Sequence, residues 1–289
     1  MPMKTLYKHL SLLAGIVSLL MLCGCPSGMV QYTDLDEELG RTSWNGIENL
    51  NAQARLNAGP YNSSLTMKIS LPQENALLGA YIWSNGALAG HHPLRLDLQS
   101  SVGTTVAKIR EDQEYFLLYD LRNNRAIVSS DPQEALRATI NFPLPMSLGE
   151  LAMLLSGRYT DFFLDSGPEE PSLLGTTALR QSIFRLAQGR RHGYLTLDAQ
   201  GYPQKWQSAE PESWIMELEY QNPVTLVANT SPLPGPRRLT LDHPKGISIN
   251  LQVKSLKKLP QPFMEAQLNL LIPPSASTRE LKNILTQEE

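Results

Sequence analysis

Two cysteines stand near the start of this 289-residue chain, in Leu22-Cys23-Gly24-Cys25, and the second is the residue best placed for covalent chemistry. A thiol sulfur is a nucleophile that can carry a thioether. Cys25 follows a small residue, Gly24, and has an aliphatic one, Leu22, at the third position before it. Upstream, Lys4 and Lys8 open the chain and an apolar run extends from Leu10 to Leu22. A basic start, an apolar centre and a small residue before a cut is the layout of an export signal. The run is too short to span a bilayer, which takes about 20 apolar residues. Elsewhere the chemistry-bearing residues do not assemble into a site. His91 and His92 are adjacent, so on a strand they would point to opposite faces, and a third ligand is lacking; they read as a loop pair. Asp161, Asp165, Glu169 and Glu170 lack the spacing of a calcium loop. There is no G-x-S-x-G elbow, no H-E-x-x-H, no phosphate-cradling glycine loop and no defensible acid pair. The reading is therefore no catalytic residue, no metal and no enzyme.

Leu22 to Cys25 resembles the bacterial lipobox. The resemblance implies cleavage after Gly24, a thioether-linked diacylglycerol on Cys25 and an acyl chain, such as palmitate, on the new amino terminus. No other cofactor is implied. Acyl chains add roughly 0.8 kcal/mol per buried methylene, and two or three on one residue hold a protein to a bilayer. Pro26 stands where Asp, in lipoproteins of the well-studied Gram-negative type, retains the protein in the inner membrane. The expected location is therefore the outer membrane, lipid-anchored and facing the periplasm.

Removing 24 leader residues takes Lys4 and Lys8 away and moves the formal charge from −3 to about −5. Nothing strongly basic remains, which argues against nucleic acid as a partner. Cys23 leaves with the leader and Cys25 is acylated, so the mature fold has no disulfide to rely on. The organisation expected is a signal peptide over 1–24, an acylated tether over 25–43, a domain over 44–274 and a polar tail over 275–289. In the tether, Asp34, Asp36, Glu37 and Glu38 read as a solvated face that keeps it off anionic headgroups. A short helix is expected from Trp44 to Ala54, with Ile47, Leu50 and Ala54 on one face.

Beyond that helix the period is two. Leu94, Leu96 and Leu98 alternate with Arg95, Asp97 and Gln99. Trp214, Met216 and Leu218 alternate with Ile215, Glu217 and Glu219, and Ile247 to Lys254 repeats the pattern. Such alternation marks half-buried antiparallel strands. Further strands are expected at 64–71, 79–83, 104–110, 114–119, 126–128, 182–186, 194–197, 204–208, 237–241 and 265–272. Turn signals separate them, among them Asp198 to Gly201, which reads as a hairpin. Two helices interrupt the sheet. One runs from Asp131 to Ile140, capped by Asp131. The other runs from Met146 to Ser156, with Met146, Leu148, Leu151, Ala152, Leu154 and Leu155 around a single acid, Glu150, and Gly157 as its cap. Asp165 to Gly175 has loop composition, and the tail could be helical from Thr278.

So many half-dry strands present a large apolar surface, and two or three short helices must cover it. Either the sheet folds on itself, or it curls around the helices and leaves an apolar cavity. Met146, Leu148, Leu151, Leu154 and Leu155 then form either a lid over acyl chains or a permanent core helix. Leu94, Leu96, Leu98, Trp214, Met216 and Leu218 line the same space or pack within it. Arg185, Arg190, Arg191 and His192 make a small basic patch that reads as a solvated turn.

Leu94 through Val106, the proline-bracketed Phe142-Pro143-Leu144-Pro145 with the Leu-rich helix after it, and Leu195 through Pro203 are together similar to the LolA/LolB superfamily. Most of residues 44–274 resembles LolB, the outer-membrane receptor of lipoprotein localisation. The resemblance implies a mainly β fold: an unclosed, curved antiparallel half-barrel with short helices over an apolar cavity. It further implies acyl-chain binding, acylated lipoprotein cargo, a LolA-like periplasmic carrier as partner, and Val102 as a membrane-delivery residue in its loop. Val102 is smaller than the Leu of the family, and the Pro expected beside it is absent. A monomer is expected. The alternative function is a structural or assembly lipoprotein that binds a protein partner of the envelope, or another amphiphile such as lipopolysaccharide.

Overall fold

The computed structural model describes residues 35–86, 93–112, 115–131, 145–164, 171–187, 191–210, 213–220 and 235–281. Leu22, Gly24, Cys25, His91, His92, the helix expected after Asp131 and Arg190 lie outside the described residues. The fold is mainly β: among the described residues, one unclosed sheet of 14 strands is accompanied by a few helices.

The sheet consists of two meanders joined side by side. The first runs through β1 (Tyr61–Ser70), β2 (Asn75–Ser84), β3 (Leu94–Ser100), β4 (Thr105–Glu111), β5 (Phe116–Asp120) and β6 (Arg125–Ser129). The second runs through β7 (Ser172–Thr176), β8 (Ser182–Leu186), β9 (Gly193–Leu197), β10 (Pro203–Ser208), β11 (Ile215–Glu219), β12 (Arg238–His243) and β13 (Ile247–Lys258). Each strand pairs antiparallel with its neighbour in sequence, as short turns between alternating strands require. The seam between the meanders is β1 against β13, in register from Tyr61 opposite Lys258 to Ser70 opposite Ser248, with one bulge at Ser64–Leu65.

Several expectations are corrected. Glu265 to Ile272 is not a strand: Glu265–Leu268 is a short helix, α4, and Leu268 is fully buried on the outer face of the sheet. There Arg95 donates to the Gln267 carbonyl and forms a two-pronged pair with Asp97, so the polar side of β3 is covered rather than wet. The tail is not helical from Thr278: Ser277–Leu281 is β14, parallel to β6 on that edge. The sheet is therefore not antiparallel throughout, because the chain crosses its outer face before β14 and enters from the same end as β6. Within the stretch read as loop, Ser172 to Gly175 belongs to β7.

Helix α1 spans Glu37–Leu56, longer than the expected Trp44–Ala54, and takes the end of the expected tether with it. Its acids have a local role. Asp36 is the N-cap and accepts from the Leu39 amide at 2.8 Å, while Glu37 and Glu38 stand in the first turn, at the positive end of the dipole. Ile47, Leu50 and Ala54 face the sheet as their spacing requires. Helix α2 (Leu148–Leu155) and a short α3 (Tyr159–Phe163), which the period did not reveal, complete the cover of the concave face.

α1 sits hard against the β9–β10 turn. A Cβ on Gly46 would overlap the Gln200 carbonyl, while one on Gly40 would meet only the end of the Leu173 side chain. Alanine in a helix interior ordinarily stabilises by about 1 kcal/mol over glycine. Gly46→Ala is expected to reverse that sign and lower the Tm, with Gly40→Ala close to neutral. Denaturant melts of the two variants check this; a stabilised Gly46→Ala would mean α1 does not rest on the turn.

Candidate functional site

Every apolar residue expected to line a cavity lies on the concave side, and α2 organises them. Leu94, Leu96, Leu148, Ala152 and Leu155 pack with Ile82, Phe116 and Leu118 in one cluster, with Leu98 against its edge. Met146, Leu154, Trp214, Met216 and Leu218 pack with Leu239, Leu241 and Ile249 in another. Leu151 touches both clusters, so α2 is a wedge between the halves of the sheet. Its eight residues carry one charge, Glu150.

Polar contacts hold the wedge at both ends. Ser147 is the N-cap: its hydroxyl accepts from the Glu150 amide at 3.1 Å, and Glu150 accepts from the Ser147 amide at 2.7 Å. Glu111, at the end of β4, accepts from the Leu148 and Gly149 amides, each at 2.9 Å. Its carboxylate thus meets the positive end of the helix, although the residue is only 8% exposed. Arg191 pairs with Glu150 at 2.9 Å and stacks over the Phe162 ring at 4.7 Å, while Trp206 donates to the Arg191 carbonyl. At the other end Gly157, at φ 82°, closes the helix as expected. The Gly157 amide donates to Leu154 and the Arg158 amide to Met153, the Schellman pattern. Arg158 then reaches Asp161 at 2.6 Å, and Asp161 also receives Arg55 and Asn51 from α1. Burial pushes the Asp161 carboxyl up, but its arginine partners outweigh burial and hold it below the usual range.

Sequence reasoning missed Glu111, Arg158 and the structural use of Arg191. Glu111 carried a signal, since it shares the phase of the inward Ile109 on β4. Arg191 carried none, and the expected basic patch does not form as read: Arg185 is exposed whereas Arg191 turns inward. Asp161 is part of the α1–α3 ion cluster, and among the described residues no group of His, Cys, Asp and Glu could hold a metal. Val102 stands apart, 84% exposed at the tip of the β3–β4 hairpin. Gly103, at φ 84°, completes a turn in which its amide donates to Ser100. This tip lies at the end of β3 away from α2.

Two concavities adjoin the helices. A crevice of about 20 Å³ lies between the C-terminal ends of α1 and α2 and the start of β1, room for a water or two. An open groove of about 360 Å³ runs between the first turns of α1 and β7, floored by Trp44, Leu173 and Phe184. Trp44 and Phe184 pack at 5.0 Å between ring centroids. Among the described residues no helix is long and apolar enough to cross a membrane.

No protein-family model matches the chain, and no curated protein matches its sequence. Solved structures align with the chain to differing degrees. A DUF1329 family protein from Desulfovibrio piger aligns with TM-score 0.52 at 9% identity, over 80% of this chain and 99% of that one. A LolA superfamily protein from Nitrosomonas europaea aligns with TM-score 0.48 at 10% identity, over 75% and 94%. A putative outer membrane lipoprotein-sorting protein domain from Vibrio parahaemolyticus gives 0.47 at 13%, over 78% and 96%. At 9% identity the first of these speaks to the fold alone.

Burial pushes the Glu111 carboxyl above its ordinary value near 4.5, against the amides that pull it down. A folded value above the unfolded one means the native state binds more protons between the two. That contribution to stability therefore falls as pH rises from about 4.5 through the folded value, and is constant above it. Glu111→Gln has no charge to titrate and is expected to flatten this part of the profile. Melting wild type and variant from about pH 4 to about pH 8 checks it; parallel profiles would show that Glu111 titrates as in the unfolded chain.

Proposed function

We propose that this protein is a non-catalytic, lipid-anchored envelope protein that takes up acyl chains on the concave side of its sheet, beneath α2. The observation that carries the reading is the wedge itself. α2 is a short, almost wholly apolar segment laid against a large apolar face, with its polar contacts confined to its two ends. The concave face must stay covered, because exposing it forfeits roughly 25 cal/mol per Å². A guest hydrocarbon chain can supply that cover as well as the helix does. Exchange of one apolar cover for another is then nearly isoenergetic and needs no nucleotide. With α2 in place the crevice beside it has room for a water or two, so acyl uptake requires α2 to move.

In this proposal Cys25 carries the diacylglycerol and N-acyl anchor after cleavage between Gly24 and Cys25, and the location is the outer membrane. The cargo is the acyl chains of other lipoproteins, received from a LolA-like periplasmic carrier as a LolB-like receptor would receive them. Val102, exposed on its hairpin, is the contact that passes cargo to the bilayer. The filled interior favours a second reading, an assembly lipoprotein whose packed half-barrel engages a protein partner.

Saturable binding of radiolabelled palmitate to the purified full chain separates the two. Wild type is expected to bind. Glu111→Ala, which loosens one end of α2, should bind several-fold more tightly. Leu151→Glu should lose at least about tenfold, since a charge would sit on the wedge between two apolar clusters. Val102→Glu should leave binding unchanged and slow delivery of a bound acylated protein to liposomes. Absence of palmitate binding in both wild type and Glu111→Ala would leave the assembly reading standing.

A further inference from the structure

The crevice between α1, α2 and the β1–β2 pair holds chemistry that neither the wedge nor its end contacts use. Its walls are Ala54 and Ala58 of the α1 end, Ala152 and Met153 of α2, and the Tyr61 ring, while Arg158 and Lys258 bring two cations to it. Its lining includes no carboxylate. Arg158 is only 5% exposed. Its Nε is spent on Asp161, but its Nη1 is buried and meets no acceptor among the described residues. Lys258, whose side chain is exposed, has the neutral amide oxygen of Asn57 as its contact, at 3.3 Å.

Three acceptors in its walls are already engaged. The Ala152 carbonyl accepts from the Ser156 amide and, at 3.4 Å, from the Tyr61 hydroxyl. The Met153 carbonyl accepts from the Arg158 amide and from the Ser156 hydroxyl. The Ser84 hydroxyl accepts from the Gly86 amide. A guanidinium donor that is buried without an acceptor is costly, and the acceptors that suit it best are anionic oxygens. The space is too small for a large anion but matches one carboxylate, with alanine, methionine and tyrosine surfaces to take the first methylenes behind it.

We propose that this crevice is a binding site for a monocarboxylate with an apolar body, its oxygens between Arg158 Nη1 and Lys258 Nζ. The site goes beyond the acyl-uptake reading and does not depend on movement of α2. Its cations do not attract anions in general so much as anions that arrive with a hydrocarbon tail, because most of the wall is carbon.

The test is a titration of the purified full chain with carboxyl-¹³C hexanoate, carboxyl-¹³C acetate and hexylamine, followed by NMR. Hexanoate is expected to bind saturably and several-fold more tightly than acetate, and hexylamine not to compete. Lys258→Met removes an exposed cation without touching the core and should weaken hexanoate about tenfold, the scale of one lost charge-assisted hydrogen bond. Ala58→Leu narrows the crevice with all charges kept and should weaken it comparably. Binding of an acyl chain without a carboxylate, such as radiolabelled methyl palmitate, should be indifferent to both Lys258→Met and Ala58→Leu, so failure of one proposal is separable from failure of the other. Absence of a saturable hexanoate shift, equal affinity for acetate and hexanoate, or a shift indifferent to both Lys258→Met and Ala58→Leu would overturn the assignment and leave the crevice to water.

Discussion

An open sheet of this size has one apolar face that must be kept from water, and the rest of the structure answers to that constraint. Closing the sheet into a barrel would hide the face but would need strands that meet edge to edge. Here β7 and β14 stand at opposite ends of the strand order instead, and helices do the covering. α1 lies over the end of the sheet near β7 to β9, α2 is wedged between the two apolar clusters, and α3 links them through Tyr159, Phe162 and Phe163. The division of labour explains why α1 is long and amphipathic while α2 is short and apolar nearly all round. The former has a solvent side; the latter has almost none.

A helix that is apolar on every side cannot be oriented by hydrophobic contact alone, since any rotation would bury similar surface. Orientation falls to the few polar groups at its ends. The Glu111 carboxylate on the first amides, the Ser147–Glu150 capping box, Arg191 on Glu150 and the Arg158–Asp161 pair together set which leucine faces which cluster. Buried ion pairs of this kind add little net stability, because desolvation offsets the Coulomb gain, but they are well suited to specifying one arrangement among several. The proposed exchange of α2 for a guest would draw on the same economy: apolar contacts are replaceable, whereas the polar ones define a single position.

How much of this was legible depended on how far apart the interacting residues lie in sequence. The strands at Leu94 to Gln99 and Ile247 to Lys254, the hairpin at Asp198 to Gly201 and the capped helix ending at Gly157 all announce themselves within a few residues, through period or turn chemistry. The residues expected to line a cavity pack in the apolar clusters for the same reason. What could not be read was whether those side chains would leave room between them. That depends on the distance between two sheet halves joined through β1 and β13, and on a wedge whose fit is a matter of volume. The contacts of Glu111 and Arg191 stayed hidden because their partners lie on other elements, and charge in a sequence carries no address; Arg158 was missed although Asp161 stands three residues on.

By itself the sequence determined the local order of this protein: alternating strands, their turns, the helix caps, and the apolar phase of each element. These follow from backbone sterics and a period of two or 3.6, which neighbouring residues settle among themselves. The tertiary structure alone decided that β14 runs parallel to β6, that Arg95 and Asp97 are covered rather than wet, and that α2 fills the concave face. Those outcomes belong to packing, where surfaces distant in the chain compete for the same space and only the assembled shape determines which of them meet.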